Sequence, residues 1–131
     1  MEKITRLNYV DQAENAITRL AALTDKKGKK KQMVTTSKIR NLLAMSSDIY
    51  NQIIQDNEED LKEEIVSRIE YLRVRFIYEA GREPSVNDFL KETRVLDVLK
   101  DINGSRENYI LFNRYMEALV AFHKYYGGKE Q

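Results

Sequence analysis

Arg68-Ile69-Glu70-Tyr71-Leu72-Arg73-Val74-Arg75-Phe76-Ile77-Tyr78-Glu79-Ala80-Gly81-Arg82 carries two different stripes on one helix. At about 100° per residue, Arg68, Tyr71, Arg75, Tyr78 and Arg82 share a face. Leu61, Ile65, Ile69, Leu72, Phe76 and Ala80 fill the adjoining one. One side packs; its neighbour presents guanidinium forks and phenol rings. Arginine's planar donors match phosphate oxygens and its plane stacks on bases, so this surface is chemically suited to RNA. The same stripe also reads as a snorkelled helix flank whose arginines pair with nearby glutamates.

Glycine and proline divide the chain into helices. Gly28, Gly81, Gly104, Gly127, Gly128 and Pro84 all fall between periodic segments. A first helix is predicted over residues 9–23, with Val10, Ala13, Ile17, Leu20 and Ala21 inward. A second covers 37–54, with Ile39, Leu42, Leu43, Ser46, Ile49, Tyr50 and Ile53 inward. A third covers 58–80 and is closed by Gly81, where glycine takes the left-handed conformation readily. Residues 85–88, Ser-Val-Asn-Asp, resemble a capping box, and the segment from there to 102 reads as one bent helix or two short ones. Ser105 starts the last helix, which ends at Gly127 and Gly128. No period-2 alternation persists, so the fold class is all-α: a single-domain bundle of about five helices over residues 1–131, with a mobile lysine loop at 25–34.

The last helix is apolar on too many sides for a surface element. Phe112, Tyr115, Met116, Leu119, Phe122, His123 and Tyr126 form a broad face, yet Ile110, Ala118, Ala121 and Tyr125 lie roughly opposite. Such a helix is either central to its bundle or part of an interface.

Charge is informative through its distribution. The 131 residues carry a net charge of only +1, so overall basicity says nothing about nucleic acid. Residues 26–40 hold Lys26, Lys27, Lys29, Lys30, Lys31, Lys38 and Arg40 with no acid, whereas 56–64 holds Asp56, Glu58, Glu59, Asp60, Glu63 and Glu64 against Lys62. The blocks imply a polarised surface, or two solvated segments that keep the protein soluble. Zero cysteines exclude disulfides, thiolate zinc sites and cysteine nucleophiles. No apolar run approaches the roughly 18 residues of a spanning helix, and residues 1–6 lack a signal-peptide core, so a soluble cytoplasmic protein without membrane contact is expected. The Asn103-Gly104-Ser105 sequon reads as a turn before a helix cap.

A second basic constellation is Thr35-Thr36-Ser37-Lys38-Ile39-Arg40-Asn41, at the predicted start of the second helix. Helix N-termini carry unpaired N–H groups and partial positive charge, which makes them natural phosphate sites. Three hydroxyls and two cations surround this one. Equally, Thr36 or Ser37 caps the helix while Lys38 and Arg40 form its solvated side.

Catalytic machinery is missing from the sequence. His123 is the only histidine and lies on an apolar face, where it reads as a packed residue rather than a general base. Glu59 with Glu63 and Asp60 with Glu64 stand at helical i, i+4 spacing, yet an EF-hand counted from Asp56 has Leu61 at its glycine position and Ser67 at its twelfth. The acids are better explained as the favourable first turns of a helix. No phosphate-binding glycine loop occurs. No catalytic residue, metal ligand or cofactor is expected.

Three blocks also carry a family resemblance. Thr-Thr-Ser-Lys-Ile-Arg-Asn-Leu-Leu from Thr35, Tyr-Leu-Arg-Val-Arg-Phe-Ile-Tyr-Glu-Ala-Gly-Arg-Glu from Tyr71, and Arg-Tyr-Met-Glu-Ala-Leu-Val-Ala-Phe-His-Lys-Tyr-Tyr-Gly-Gly from Arg114 occur in that order. Together they resemble the small helical subunit of the type III-A CRISPR effector, the Csm interference complex. The likeness runs from Thr35 to the C-terminus and more weakly over residues 8–23, and it fades in the lysine loop and after Tyr50. It implies a non-catalytic, sequence-independent RNA-binding subunit of an RNA-guided antiviral ribonucleoprotein. The implied partners are the target-strand backbone of a guide RNA–target RNA duplex, other Csm subunits and further copies of the same subunit. Specificity then comes from guide pairing, since phosphate contacts position RNA without reading it. The RNA-contacting candidates are Thr36, Ser37, Lys38, Arg40, Arg68, Arg73, Arg75 and Arg82. Arg73 points elsewhere on the wheel and is also a candidate for a subunit interface. The rival reading is a helical adaptor whose arginine stripe docks an acidic protein partner.

Overall fold

The computed structural model describes residues 2–130, and among them it contains six helices. They are α1 (Tyr9–Ala21), α2 (Thr36–Ile53), α3 (Glu63–Arg82), α4 (Pro84–Thr93), α5 (Val95–Lys100) and α6 (Arg106–Tyr125). Helix α6 is the central post, packed against α1, α2 and α5, while α3 bridges α2 and α4. Its all-round apolarity thus has a structural explanation: Tyr109, Phe112, Tyr115, Met116 and Leu119 are fully buried. Burying side chains of this size stabilises the fold by roughly 1.5–3 kcal/mol each. The outlying Tyr125 is left exposed, as is Ala121.

Among the described residues, every buried side-chain polar atom has a hydrogen-bond partner. The Tyr109 hydroxyl donates to the Ser46 carbonyl at 2.7 Å, and Ser46 Oγ bonds Asn113 Oδ1. Tyr115 donates to the Thr93 carbonyl at 2.7 Å, and burial pushes its phenol up to about 12.

Six helices rather than about five follow from one residue. Arg94 adopts the left-handed conformation (φ 58°) and separates α4 from α5, while Tyr115 takes the Thr93 carbonyl that the break leaves free. Gly81, expected to terminate α3, is helical instead. The stop comes at Glu83, which is extended (φ −135°, ψ 118°) because Pro84 disfavours helical backbone at the preceding residue. Pro84 then opens α4 at its first position, so Ser85 lies inside the helix and the capping box is not formed.

The acidic block is also placed differently from its sequence reading. Only Glu63 and Glu64 stand in the first turn of α3. Residues 56–62 form a loop pinned to the start of α6: Leu61 N–H donates to Gly104 O at 2.8 Å, Arg106 N–H to Glu59 O at 3.0 Å, and Arg106 Nε to Asp56 O at 2.7 Å. The helical i, i+4 acid pairs therefore do not exist. In α1, Val10 is exposed and Ala16 takes its inward place, beside Ala13, Ile17 and Leu20.

Residues 24–31 close into a tight turn organised by Asp25. Its carboxylate accepts the N–H groups of Lys27 (2.8 Å) and Lys29 (3.0 Å), and Gly28 supplies the positive φ of 80°. Every lysine of the loop is exposed.

Candidate nucleic-acid interface

Because α3 buries Ile65, Ile69, Leu72 and Phe76, its helical period turns the basic stripe toward solvent on the side facing α2. Arg68, Arg75 and Arg82 are exposed, with Tyr71 (61%) and Tyr78 (58%) between them. From Arg68 to Arg82 the line runs about 21 Å at 1.5 Å per residue. A groove of about 450 Å³ lies beside it, with Met45, Ile49 and Leu72 on its apolar floor and Arg68, Tyr71, Arg75 and Asp48 around it. Its chemistry is an apolar floor rimmed by two guanidinium groups and one carboxylate.

The cations of this line have only surface partners. Arg68 bonds the Gln52 side chain, Arg82 pairs with Glu79 at 3.4 Å and lies 5.7 Å from the Tyr78 ring centre, and Arg75 has no partner among the described residues. Arg73 pairs with Glu70 at 3.3 Å on the opposite flank of the helix, separated from the stripe. Two residues that the wheel left unassigned, Val74 (57% exposed) and Ile77 (50%), form the outermost ridge between those flanks. Their signal was available: apolar residues outside both arcs of an otherwise two-faced helix.

The start of α2 is a different construction from the expected one. Thr35, not Thr36 or Ser37, is the N-cap, with its hydroxyl accepting the Lys38 N–H. Thr36 is fully buried, so its side chain leaves the set of residues able to meet a phosphate. Its hydroxyl lies 3.0 Å from Nδ1 of His123, whose Nε2 sits 2.7 Å from the Val34 carbonyl. A carbonyl only accepts, so Nε2 carries the proton and Nδ1 accepts from Thr36. Burial lowers the basicity of this imidazole, consistent with a neutral packed ring.

Ser37 and Arg40 remain exposed and Lys38 half-buried. The Ser37 N–H and that of Thr36 are already taken by carbonyls of the C-terminal tail, Glu130 (3.1 Å) and Lys129 (2.8 Å). Arg40 pairs with Glu130 at 3.2 Å, and Lys38 pairs with Glu83. The fold also joins the two constellations, because α2 begins where α3 ends. Lys31, Lys38 and Arg82 line one groove of about 450 Å³, beside Glu83 and Asp88. Another groove, about 800 Å³, lies elsewhere and mixes Arg6, Arg106 and Arg114 with Glu59, Asp60 and Glu107. Its balance of signs makes it a poorer match to a polyanion.

Comparison with known proteins adds an independent observation. The family model described as Csm2 Type III-A matches residues 12–129. The chain belongs to the type III-A Csm2 family. Among the relatives of this chain, the "CRISPR system Cms protein Csm2" of Streptococcus thermophilus is 43% identical over 130 residues, covering 99% of this chain and all of the relative. The protein of the same description from Mycobacterium tuberculosis (strain CDC 1551 / Oshkosh) is 36% identical over 98 residues, 75% of this chain and 79% of that one. Its counterpart from Enterococcus italicus is 38% identical over 96 residues, 71% and 68% of the two chains. The matched segment includes both basic constellations and every helix except the start of α1. No helix among the described residues is long and apolar enough to cross a membrane.

Proposed function

We propose that this chain is a structural subunit of a type III-A CRISPR effector and binds RNA there without cutting it. The contact is to the target-strand backbone of the guide–target duplex, several copies stack along that duplex, and neighbouring Csm subunits are its protein partners. The observation that carries the reading is the solvent-facing line of Arg68, Arg75 and Arg82 interleaved with Tyr71 and Tyr78, its cations engaged only at the surface. Membership of a family whose relatives bear a CRISPR-system description supports the assembly. Surface ion pairs contribute little to stability, so these arginines exchange their partners for phosphates at small cost.

The mechanism is positional. Arginine forks hold phosphates and tyrosines cover sugar or base faces, a mode of contact that needs no reading of base edges. Lys38, Arg40 and Ser37 extend the surface around the start of α2. The lysine loop, mobile in the free protein, raises the local attraction for RNA. A single folding domain and a cytoplasmic setting belong to the same reading. The test is salt-dependent binding of unrelated RNAs by the isolated protein, measured by fluorescence anisotropy. Similar affinities for all sequences that fall with salt support it; no binding at low salt removes direct RNA contact.

Val74 and Ile77 favour a second reading, in which this ridge docks another protein. The two are compatible if Arg73, Val74 and Ile77 serve the protein contact and the stripe serves RNA. Loss of co-purification with the other Csm subunits on replacing Val74 and Ile77 by serine, with RNA binding retained, would establish the division.

A further inference from the structure

The chain's own C-terminal tail occupies the groups at the start of α2 that an anion would use. Helix α6 ends in a Schellman turn: Gly127 (φ 83°) donates to Lys124 O at 3.1 Å and Gly128 to His123 O at 2.8 Å. Gly128 then lies so close to the imidazole of His123 that an added Cβ would stand 2.0 Å from its Cε1. This reversal carries Lys129 and Glu130 across α2. Their carbonyls accept the N–H groups of Thr36 and Ser37, and the Glu130 carboxylate sits between Arg40 (3.2 Å) and Lys124 Nζ (2.5 Å). Lys124 holds that carboxyl below the usual carboxylate range. Two consecutive residues thereby supply two carbonyls and one carboxylate to two amides and two cations, which is the coordination a phosphate would take.

We propose that residues 128–130 form an internal lid over the α2 N-terminus, and that docking of the lid and binding of RNA phosphate at Ser37, Arg40 and Lys124 exclude one another. The inference rests on the RNA reading above. Lys129 and Glu130 are exposed and bury no apolar side chain. The entropy of ordering such a segment is comparable with what two backbone hydrogen bonds and two exposed ion pairs return, so the lid is poised to open. RNA arriving along the α3 line displaces an anion already seated on the site, and the lid thus lowers the affinity of the free subunit for stray RNA.

The test uses the full chain and an oligouridine. Gly128→Ala undocks the lid sterically with no change in charge, and Glu130→Gln removes its carboxylate; Glu117→Gln, on the exposed side of α6, controls for net charge. A spin label on Lys129→Cys, unique because the chain has no cysteine, reports docking directly. Expected are a restrained label in the free protein, release on adding oligouridine, and affinity about three- to tenfold tighter in Gly128→Ala and in Glu130→Gln than in the control. Oligouridine binding with the label still restrained, or equal affinities in Glu130→Gln and Glu117→Gln, overturns the lid and leaves the RNA reading standing. A label already mobile in the free protein also overturns it. Failure of every variant and of the parent to bind oligouridine overturns the RNA reading, and the lid with it.

Discussion

Replacing Arg68, Arg75 and Arg82 together by alanine should remove electrostatic RNA affinity while leaving the fold in place. Each side chain is exposed, and the partners lost are the Gln52 side chain for Arg68 and Glu79 for Arg82, with none for Arg75 among the described residues. An i, i+3 pair such as Arg82 with Glu79 contributes about 0.2–0.5 kcal/mol to its helix, so the melting transition should shift little. The effect on RNA is larger. Each phosphate contact to a single strand contributes about −0.7 to the slope of log K against log salt. A fourfold rise in salt therefore weakens binding about 2.6-fold per contact, and three contacts compound to about 18-fold.

The parent protein should lose about 18 times more affinity than the triple variant when salt rises from about 50 to about 200 mM, and the slope should flatten by about 2. Fluorescence anisotropy on several RNAs of unrelated composition, over a salt series, gives both quantities; circular dichroism verifies the fold. The change should be uniform across sequences, because phosphate contacts carry no base information. Arg73→Ala, on the opposite flank and paired with Glu70, should leave the slope unaltered. If the triple variant keeps its helical signal and shows the parent slope, the α3 line does not touch RNA.

Other outcomes follow from the same structure. The purified protein should leave bound RNA uncut with magnesium or manganese, and His123→Ala should lower thermal stability without altering RNA turnover; cleavage lost on replacing Glu59, Asp60, Glu63 and Glu64 would contradict this. Converting Lys26, Lys27, Lys29, Lys30 and Lys31 to glutamine should slow RNA association mainly at low salt, whereas replacing Lys38 and Arg40 should weaken binding near physiological salt as well. Identical effects of the two sets at every ionic strength would remove the distinction between steering and positioning. Stability should also fall on acidification: burial depresses the His123 pKa below its unfolded value of about 6.5, so the unfolded chain binds more protons and stability drops as pH falls through that value. The limiting slope is about 1.4 kcal/mol per pH unit, read from denaturant midpoints between about pH 7 and 5, and it should vanish in His123→Gln.

The helical architecture was legible because helix periodicity is local: the inward positions of α2 and α3 were readable from spacing, and Ser105 was identified as the start of α6. What escaped the sequence depends on partners far along the chain. Thr36 reads as a cap or a phosphate ligand until His123, 87 residues later, claims its hydroxyl. The acidic run has helical spacing, yet contacts with Gly104 and Arg106 hold it as a loop. Gly81 has the residue type of a helix terminator, but φ can be helical as easily as left-handed at glycine, and Pro84 fixes the end instead. Arg94 takes a left-handed conformation that sequence alone would assign to glycine or asparagine.

The low net charge acquires a physical meaning from these placements. Lys31, Lys38, Arg40, Arg73 and Arg82 each face a carboxylate of the same chain, at Asp88, Glu83, Glu130, Glu70 and Glu79 respectively. On the RNA reading, binding is then an exchange of one anion for another rather than the neutralisation of a bare basic patch. At these five positions an isolated copy gains little per contact, because each phosphate displaces a carboxylate already present, whereas Arg68 faces only the neutral Gln52 side chain. Copies aligned on one duplex share a single entropic cost of association across many such exchanges, so the assembly holds RNA firmly while each free subunit binds it weakly. That division of labour needs no base-reading side chain, and it keeps a subunit with an exposed arginine stripe from holding every RNA it meets tightly.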